Sequence, residues 1–141
     1  MSFGNNVYNT VDGNSGTSFS VGLSFGGNSV GITYESQFGY YQRIGNICFF
    51  TLFLSITNKG SSTGQARLEN LPFFPNGPNI CRLAALQRTI NLPVNYYNVF
   101  VEPSGNFAFL KAGGDNNFVI DLDDTHFTNN SQIICSGFYF V

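Results

Sequence analysis

His126 is the chain's only histidine, and it stands in Asp124-Thr125-His126, a polar turn ahead of Phe127. An imidazole beside a carboxylate is part of a hydrolytic triad, but a triad also needs a serine held on a nucleophile elbow, and the expectation is that none is present. His126 is therefore read as a solvated loop residue, and no catalytic residue is assigned. Asp121, Asp123 and Asp124, with Asp115, Asn116 and Asn117 shortly before them, form the acidic cluster. Hard oxygen ligands at that density suit calcium, yet the EF-hand spacing and its distal glutamate are missing. Solvating strand ends is the simpler role. No metal or cofactor is assigned, a calcium ion near Asp121, Asp123 and Asp124 being the alternative left open. A glycosidase needs two carboxylates about 5 to 9 Å apart, whereas Glu35, Glu69 and Glu102 are isolated in sequence.

Two adjacent tyrosine pairs, Tyr40-Tyr41 and Tyr96-Tyr97, carry a different chemistry. In a strand one member of each pair must point away from the core. An exposed tyrosine offers an apolar ring face with a hydroxyl at its edge, which suits a sugar as well as a protein contact. Asparagine-rich stretches at 76–79, 95–98, 115–117 and 129–130 supply uncharged amide donors and acceptors, which both neutral glycans and tight turns use. The ligand-binding candidates are Tyr40, Tyr41, Tyr96, Tyr97, Asn98 and Asn116. The competing use of the rings is to fill an interface between copies of the chain.

The element that must position these groups is the stretch 34–73. Across 47–57, Cys48, Phe50, Leu52, Leu54 and Ile56 line one side of an extended strand, so that side must be buried. The other side carries Ile47, Phe49, Thr51, Phe53, Ser55 and Thr57, too apolar a set for a face that only meets water. It is read as covered by a second layer or by another copy of the chain.

Composition points the same way. The chain has 141 residues, 10% of them charged, and sixteen are phenylalanine; about 25% charged is usual. That length is one domain with a feasible core. Burying a phenylalanine contributes about 1.5 to 3 kcal/mol, so leaving several of Phe49, Phe53, Phe74, Phe138 and Phe140 in water would forfeit much of a stability of about 5 to 15 kcal/mol. Symmetric self-association removes such surface. The six cations are scattered singly and the net charge is −2, a pattern that argues against a nucleic-acid partner. The longest apolar run is far short of the roughly 18 residues of a spanning helix, so membrane insertion is not expected. Cys48, Cys81 and Cys135 are read as reduced core residues. The amino terminus has neither a basic start nor an apolar run, so a secretory signal is not expected.

Residues 1–15 read as a flexible lead or a join to something upstream, and 16–141 as the folded domain. From Thr17 the spacing predicts a hairpin turning at Gly26-Gly27, with Val30, Ile32 and Tyr34 on the returning strand. Gly39 and Gly45 are expected at bends or bulges, and Gly45-Asn46 at a tight corner. A polar loop at 58–64 and a strand at 65–70 follow. Residues 80–92 fit a short helix or a strand, with the strand favoured. Strands are expected at 96–102, 106–112, 117–122 and 132–140, with turns at 103–105, 113–115 and 128–130. Such spacing describes an antiparallel β-sandwich or barrel.

The order Gly39-Tyr40-Tyr41-Gln42-Arg43-Ile44-Gly45-Asn46, an apolar strand, Thr57-Asn58-Lys59-Gly60-Ser61-Ser62-Thr63-Gly64 and then Leu71-Pro72-Phe73 is similar to a segment of C-terminal head domains of bacteriophage tail fibres and tail spikes and of related trimeric adhesins. The closing Ile133-Ile134-Cys135-Ser136-Gly137-Phe138-Tyr139 resembles the final strand of those heads. The resemblance covers roughly 34–73 and the last ten residues. It implies a jelly-roll-like β-sandwich assembled as a homotrimer on an upstream fibre shaft, located in the virion tail. It also implies binding of a cell-surface glycan or protein without catalysis. On that reading Phe49, Phe53, Phe138 and Phe140 are the expected trimer interface. The alternative is a structural virion or surface-coat protein with no ligand.

Overall fold

A computed structural model describes residues 16–76, 83–115 and 118–141, and of 83–88 the backbone alone. The predicted lead at 1–15 lies outside the described residues, as does Cys81. Ten strands make up the described chain: β1 (Thr17–Phe19), β2 (Gly22–Phe25), β3 (Ile32–Ile44), β4 (Ile47–Lys59), β5 (Ala66–Glu69), β6 (Leu83–Ile90), β7 (Tyr96–Ser104), β8 (Phe107–Gly114), β9 (Val119–Asp121) and β10 (Phe127–Phe140). A single 3₁₀ turn, Asp124–His126, separates β9 from β10. The expected all-β, antiparallel architecture is the one observed. The ambiguous stretch is a strand over Leu83–Ile90.

The strands follow the order β1-β3-β4-β10-β6-β7-β8-β5-β2, with β9 on the free stretch of β8. The two ends of that order, β1 and β2, are joined in the chain by Ser20 and Val21 alone, and two residues reach only about 7 Å. The sheet must therefore wrap round until its edges nearly meet. Side chains bridge the gap. The Tyr34 hydroxyl accepts the Leu23 N–H at 2.9 Å, and Gln37 Nε2 donates to the Val21 carbonyl at 3.0 Å. Inside lie Val21, Leu23, Phe25, Leu52, Leu54, Ile56, Leu68, Leu110, Leu122, Ile133 and Tyr139, all buried.

The longest ladder is the β3–β4 hairpin, which turns on Gly45-Asn46 with Gly45 at φ 59°. This is the expected corner, and a positive φ there favours glycine. In β4 the predicted inward set, Cys48, Phe50, Leu52, Leu54 and Ile56, is buried throughout. β10 pairs β4 on one side and β6 on the other. Cys48 and Cys135 are free thiols in the core.

Three local expectations are corrected. The Gly26-Gly27 turn has hairpin geometry, with both φ angles positive and Phe25 and Asn28 exchanging backbone hydrogen bonds, but pairing stops there. Gly31, at φ 77°, turns the chain away, and β2 pairs β5 while β3 pairs β1 and β4. Gly39 is not a bend: it lies in regular register opposite Phe19, whose ring occupies the space a Cβ would take. Residues 128–130 are not a turn between strands but a bulge within β10. Ser131 holds it, accepting the Thr128 N–H at 2.9 Å and donating to the Thr89 carbonyl at 2.7 Å.

Candidate functional site

Alternation along β4 sends Ile47, Phe49, Thr51 and Phe53 to the outside of the sheet, and the registers of its two neighbours extend this into rows across three strands. Phe38, Phe53 and Ile134 share one row, and Tyr40, Thr51 and Ser136 the next. Gln42, Phe49 and Phe138 follow, then Ile44, Ile47 and Phe140. Three of the four rows are mostly apolar. The Phe49 and Phe138 ring centroids are 5.8 Å apart, and those of Phe38 and Phe53 5.7 Å. In the polar row Thr51 Oγ1 and Ser136 Oγ are hydrogen-bonded to each other at 2.8 Å, which leaves that row without a strong call on water. A shallow groove of about 440 Å³ runs between Tyr40, Phe49, Thr51 and Phe138.

All four phenylalanines expected at an interface thus lie on one outward face. Phe49, Phe138 and Phe140 are exposed, Phe49 by 43%, while Phe53 is half-buried beneath Phe38. Tyr40, a ligand candidate, belongs to this same face. Tyr41 points inward and packs its ring on Phe73, at 5.2 Å, and on Phe19.

The second tyrosine pair lies elsewhere, on β7. Tyr96 pairs Gly114 while Asn98 pairs Gly113, so Tyr97 is an extra residue, a β-bulge. Bulges break the strict alternation and re-aim a side chain. Tyr96 packs against the core, whereas Tyr97 and Asn98 are exposed. The Tyr97 hydroxyl is hydrogen-bonded to the Asp115 carboxylate, and that bond, followed by the carboxylate's charge, pushes the phenol pKa up. A cleft of about 160 Å³ opens beside it between Val94, Asn95, Tyr96, Gly114, Asp115 and Phe118. Its floor is fastened by backbone. Asn95, at φ 73°, turns its carbonyl to accept the Asp115 N–H at 3.2 Å, and Gly114 N–H donates to the Phe118 carbonyl at 3.3 Å. Asn116 lies outside the described residues.

The acidic cluster is dispersed among separate tasks. Asp121 lies 3.5 Å from Lys111 Nζ, which is 3.1 Å from Glu102. Asp123 caps the 3₁₀ turn, and the Thr125 hydroxyl, with weaker help from the Thr125 N–H and His126, holds its carboxyl below the usual range. Asp124 Oδ1 accepts the Gly64 N–H at 2.8 Å. Among the described residues no three His, Cys, Asp or Glu side chains share a position where they would hold a metal. Three stretches do have the Gly-x-Ser-x-Gly spacing that was expected to be missing, residues 22–26, 27–31 and 60–64. The first lies in β2, where Ser24 is buried and its hydroxyl donates to the Glu69 carboxylate, and the other two are β-turn or loop segments that meet each other, Ser62 Oγ accepting the Val30 N–H at 2.9 Å. None of the three opens a helix, the context that makes such a serine a nucleophile.

Arg67 was not singled out by the sequence. Its guanidinium carbon lies 4.7 Å from the Phe107 ring centre and 5.4 Å from that of Phe109, and its buried Nε has no hydrogen-bond partner among the described residues. Only the pairing of β5 with β8 brings these three side chains together, and no local pattern announces it.

No protein-family model matches the chain, and no curated protein matches it. Among solved structures, the crystal structure of the Dettilon tailspike protein is similar, with a TM-score of 0.68 and 15% identity over 89% of this chain. The match takes in 23% of the tailspike chain, so this sequence corresponds to about a quarter of that protein's length. At that identity the likeness is one of fold: this chain has an antiparallel β fold similar to one part of a phage tailspike.

Proposed function

We propose that the chain is a host-attachment head of a phage tail fibre or tailspike, which forms a homotrimer through the outer face of β3, β4 and β10 and binds a cell-surface glycan or protein without catalysis. The observation that carries this reading is the run of rings across that face, Phe38, Phe49, Phe53, Phe138 and Phe140, in a chain with so few charges. Each ring withdrawn from water contributes about 1.5 to 3 kcal/mol, so a seam between copies turns an aggregation liability into assembly energy. The fold shared with part of a tailspike supports placing such a head in a virion tail. Residues 1–15 would join it to an upstream shaft.

The test is adsorption of the fluorescently labelled protein to a panel of bacterial strains, together with its mass by light scattering. A trimer that adsorbs to some strains and not to others is the expected result. A micromolar monomer would remove the seam. A trimer that adsorbs to none would leave the structural-coat reading in its place.

A further inference from the structure

Resting on the host-attachment reading, we propose that Arg67, on the outer side of β5, is the binding point for an oxyanion of the receptor, the carboxylate or phosphate of an acidic surface sugar. Its side chain belongs to the outward row Ser24, Arg67, Phe109, Glu102, which crosses β2, β5, β8 and β7. The guanidinium is pinned there before any ligand arrives. Its central carbon is 4.7 Å from the Phe107 ring centre and 5.4 Å from that of Phe109, and the two rings brace each other edge to face at 5.1 Å.

What this cation lacks is an anion. An arginine withdrawn from water is ordinarily paired, yet among the described residues Arg67 forms no ion pair, and its buried Nε has no hydrogen-bond partner. The carboxylates on the same face are engaged elsewhere. Glu69 accepts the Ser24 hydroxyl, and Glu102 and Asp121 lie 3.1 and 3.5 Å from Lys111 Nζ. Of the three guanidinium nitrogens only Nε is buried without a partner, which leaves Nη1 and Nη2 as the edge a ligand can meet. Gly27 keeps that edge clear, because a Cβ there would stand 3.2 Å from Nη1.

Two N–H donors fixed in one plane match the paired oxygens of a carboxylate or phosphate. Bracing by the rings also removes much of the rotamer freedom that an arginine loses on binding. The sugar that carries the oxyanion meets apolar surface beside it. Phe107 and Phe74 both come within 4.0 Å of the Cβ position at Gly105, and Phe74 is 70% exposed, so its ring is free to pack on a pyranose. Charge selects the class: an acidic sugar supplies the partner that Arg67 lacks, and a neutral hexose does not.

The test uses the full chain with methyl glucuronide and the methyl glycoside of sialic acid as carboxylates, glucose 6-phosphate as the phosphate, and methyl glucoside as the neutral control. The Arg67 Nε–H signal and the amides of Gly27, Phe107 and Phe109 are followed by NMR. The expected result is a saturable shift with at least one anionic sugar, weakened by added salt, and none with methyl glucoside. A response to the carboxylates alone, or to the phosphate alone, names the group that Arg67 holds. Arg67→Gln is expected to abolish the shifts. Arg67→Lys keeps the charge but loses the planar fork, and its affinity is expected to be about tenfold weaker. The amide spectrum of β4 and β10 checks that both variants fold. No shift with any anionic sugar, an equal response to methyl glucoside, or full binding by Arg67→Gln overturns the site. Strain-specific adsorption that survives undiminished in Arg67→Gln overturns the site as a receptor contact and leaves host attachment standing. A protein that binds an acidic sugar through Arg67 yet adsorbs to no strain supports the site and sinks host attachment.

Discussion

Phe49 and Phe138 stand directly opposite each other on β4 and β10, their ring centroids 5.8 Å apart and both rings on the outside of the sheet. Cross-strand aromatic pairs of this kind stabilise a sheet by about 0.2 to 1 kcal/mol, far less than the rings would contribute if water were removed from them. In the proposed trimer, their main energetic value is in the contact between copies. The variant carrying Phe49→Ser and Phe138→Ser is expected to keep its β-sheet circular dichroism and to run as a monomer at concentrations where the unaltered chain is expected to run as the proposed trimer. Losing roughly 1.5 to 3 kcal/mol per ring weakens association by at least tenfold per site. Light scattering over a dilution series reads it, and a double variant that remains a trimer contradicts the seam.

The two faces of β4 were legible because strict alternation over eleven residues leaves little choice of register. The strand at Ala66–Glu69, with Ala66 and Leu68 inward, was legible for the same reason. Pairing partners were not. The Gly26-Gly27 turn is chemically a hairpin turn, yet the strand leading into it belongs to β5, because which edge a strand joins is settled by distant parts of the chain. The bulges at Tyr97 and at 128–130 were hidden likewise. Thr128, Asn129 and Asn130 read as turn formers, and only Thr89 and Ser131, from sites far apart in sequence, show that they are a bulge held inside a strand. At the candidate cleft the residue types at 95–98 were legible, but their meeting with Asp115 and Phe118 was not.

Gly39 provides a sharp test of packing. Phe19 lies across it in register, and a Cβ at Gly39 would collide with the Phe19 ring. Gly39→Ala is expected to cost about 1 to 3 kcal/mol, the usual effect of overpacking. Denaturant unfolding measures it. Combining it with Phe19→Ala removes the collision, so the pair should cost less than the sum of the single changes. Additive effects would show that the ring is not seated on the glycine.

Alkaline pH should unfold the protein through its core thiols and phenol. Burial pushes the Cys135 thiol from an ordinary 9.0 up to about 12. It also raises Cys48, against smaller opposing effects from a hydrogen bond with Tyr139 and from Arg43. Tyr139 is raised too, mainly by burial. Each folded pKa is above its unfolded value, so the native state keeps protons that the unfolded chain releases. This stabilisation is fully present below about pH 9 and is lost as pH rises toward about 12. Each differing proton contributes a slope of about 1.4 kcal/mol per pH unit. Urea midpoints between pH 8 and pH 11 are expected to fall steadily, a decrease that Cys135→Ala should reduce. In a Cys81→Ser background, Ellman's reagent should label neither remaining thiol until the protein unfolds, and prompt labelling would contradict their burial.

Tyr139 fastens the segment that follows β5. Its ring is buried against Phe50, and its hydroxyl both accepts the Phe73 N–H and donates to the Phe73 carbonyl, each at 3.1 Å. The Tyr41 ring and the Arg43 guanidinium, each 5.2 Å from the centre of the Phe73 ring, then hold that side chain in place. Tyr139→Phe keeps the ring and deletes both hydrogen bonds, leaving a backbone donor and acceptor stranded. Such an unpaired buried group costs about 1 to 3 kcal/mol, which for a chain of this size lowers Tm by several degrees. The loss is local in origin, so hydrogen exchange should quicken at Phe73 while the amides of β4 and β10 keep their protection relative to the global stability. An unchanged Phe73 exchange rate would mean that water replaces the phenol without cost, and that Pro72 and the ring contacts alone fix the strap.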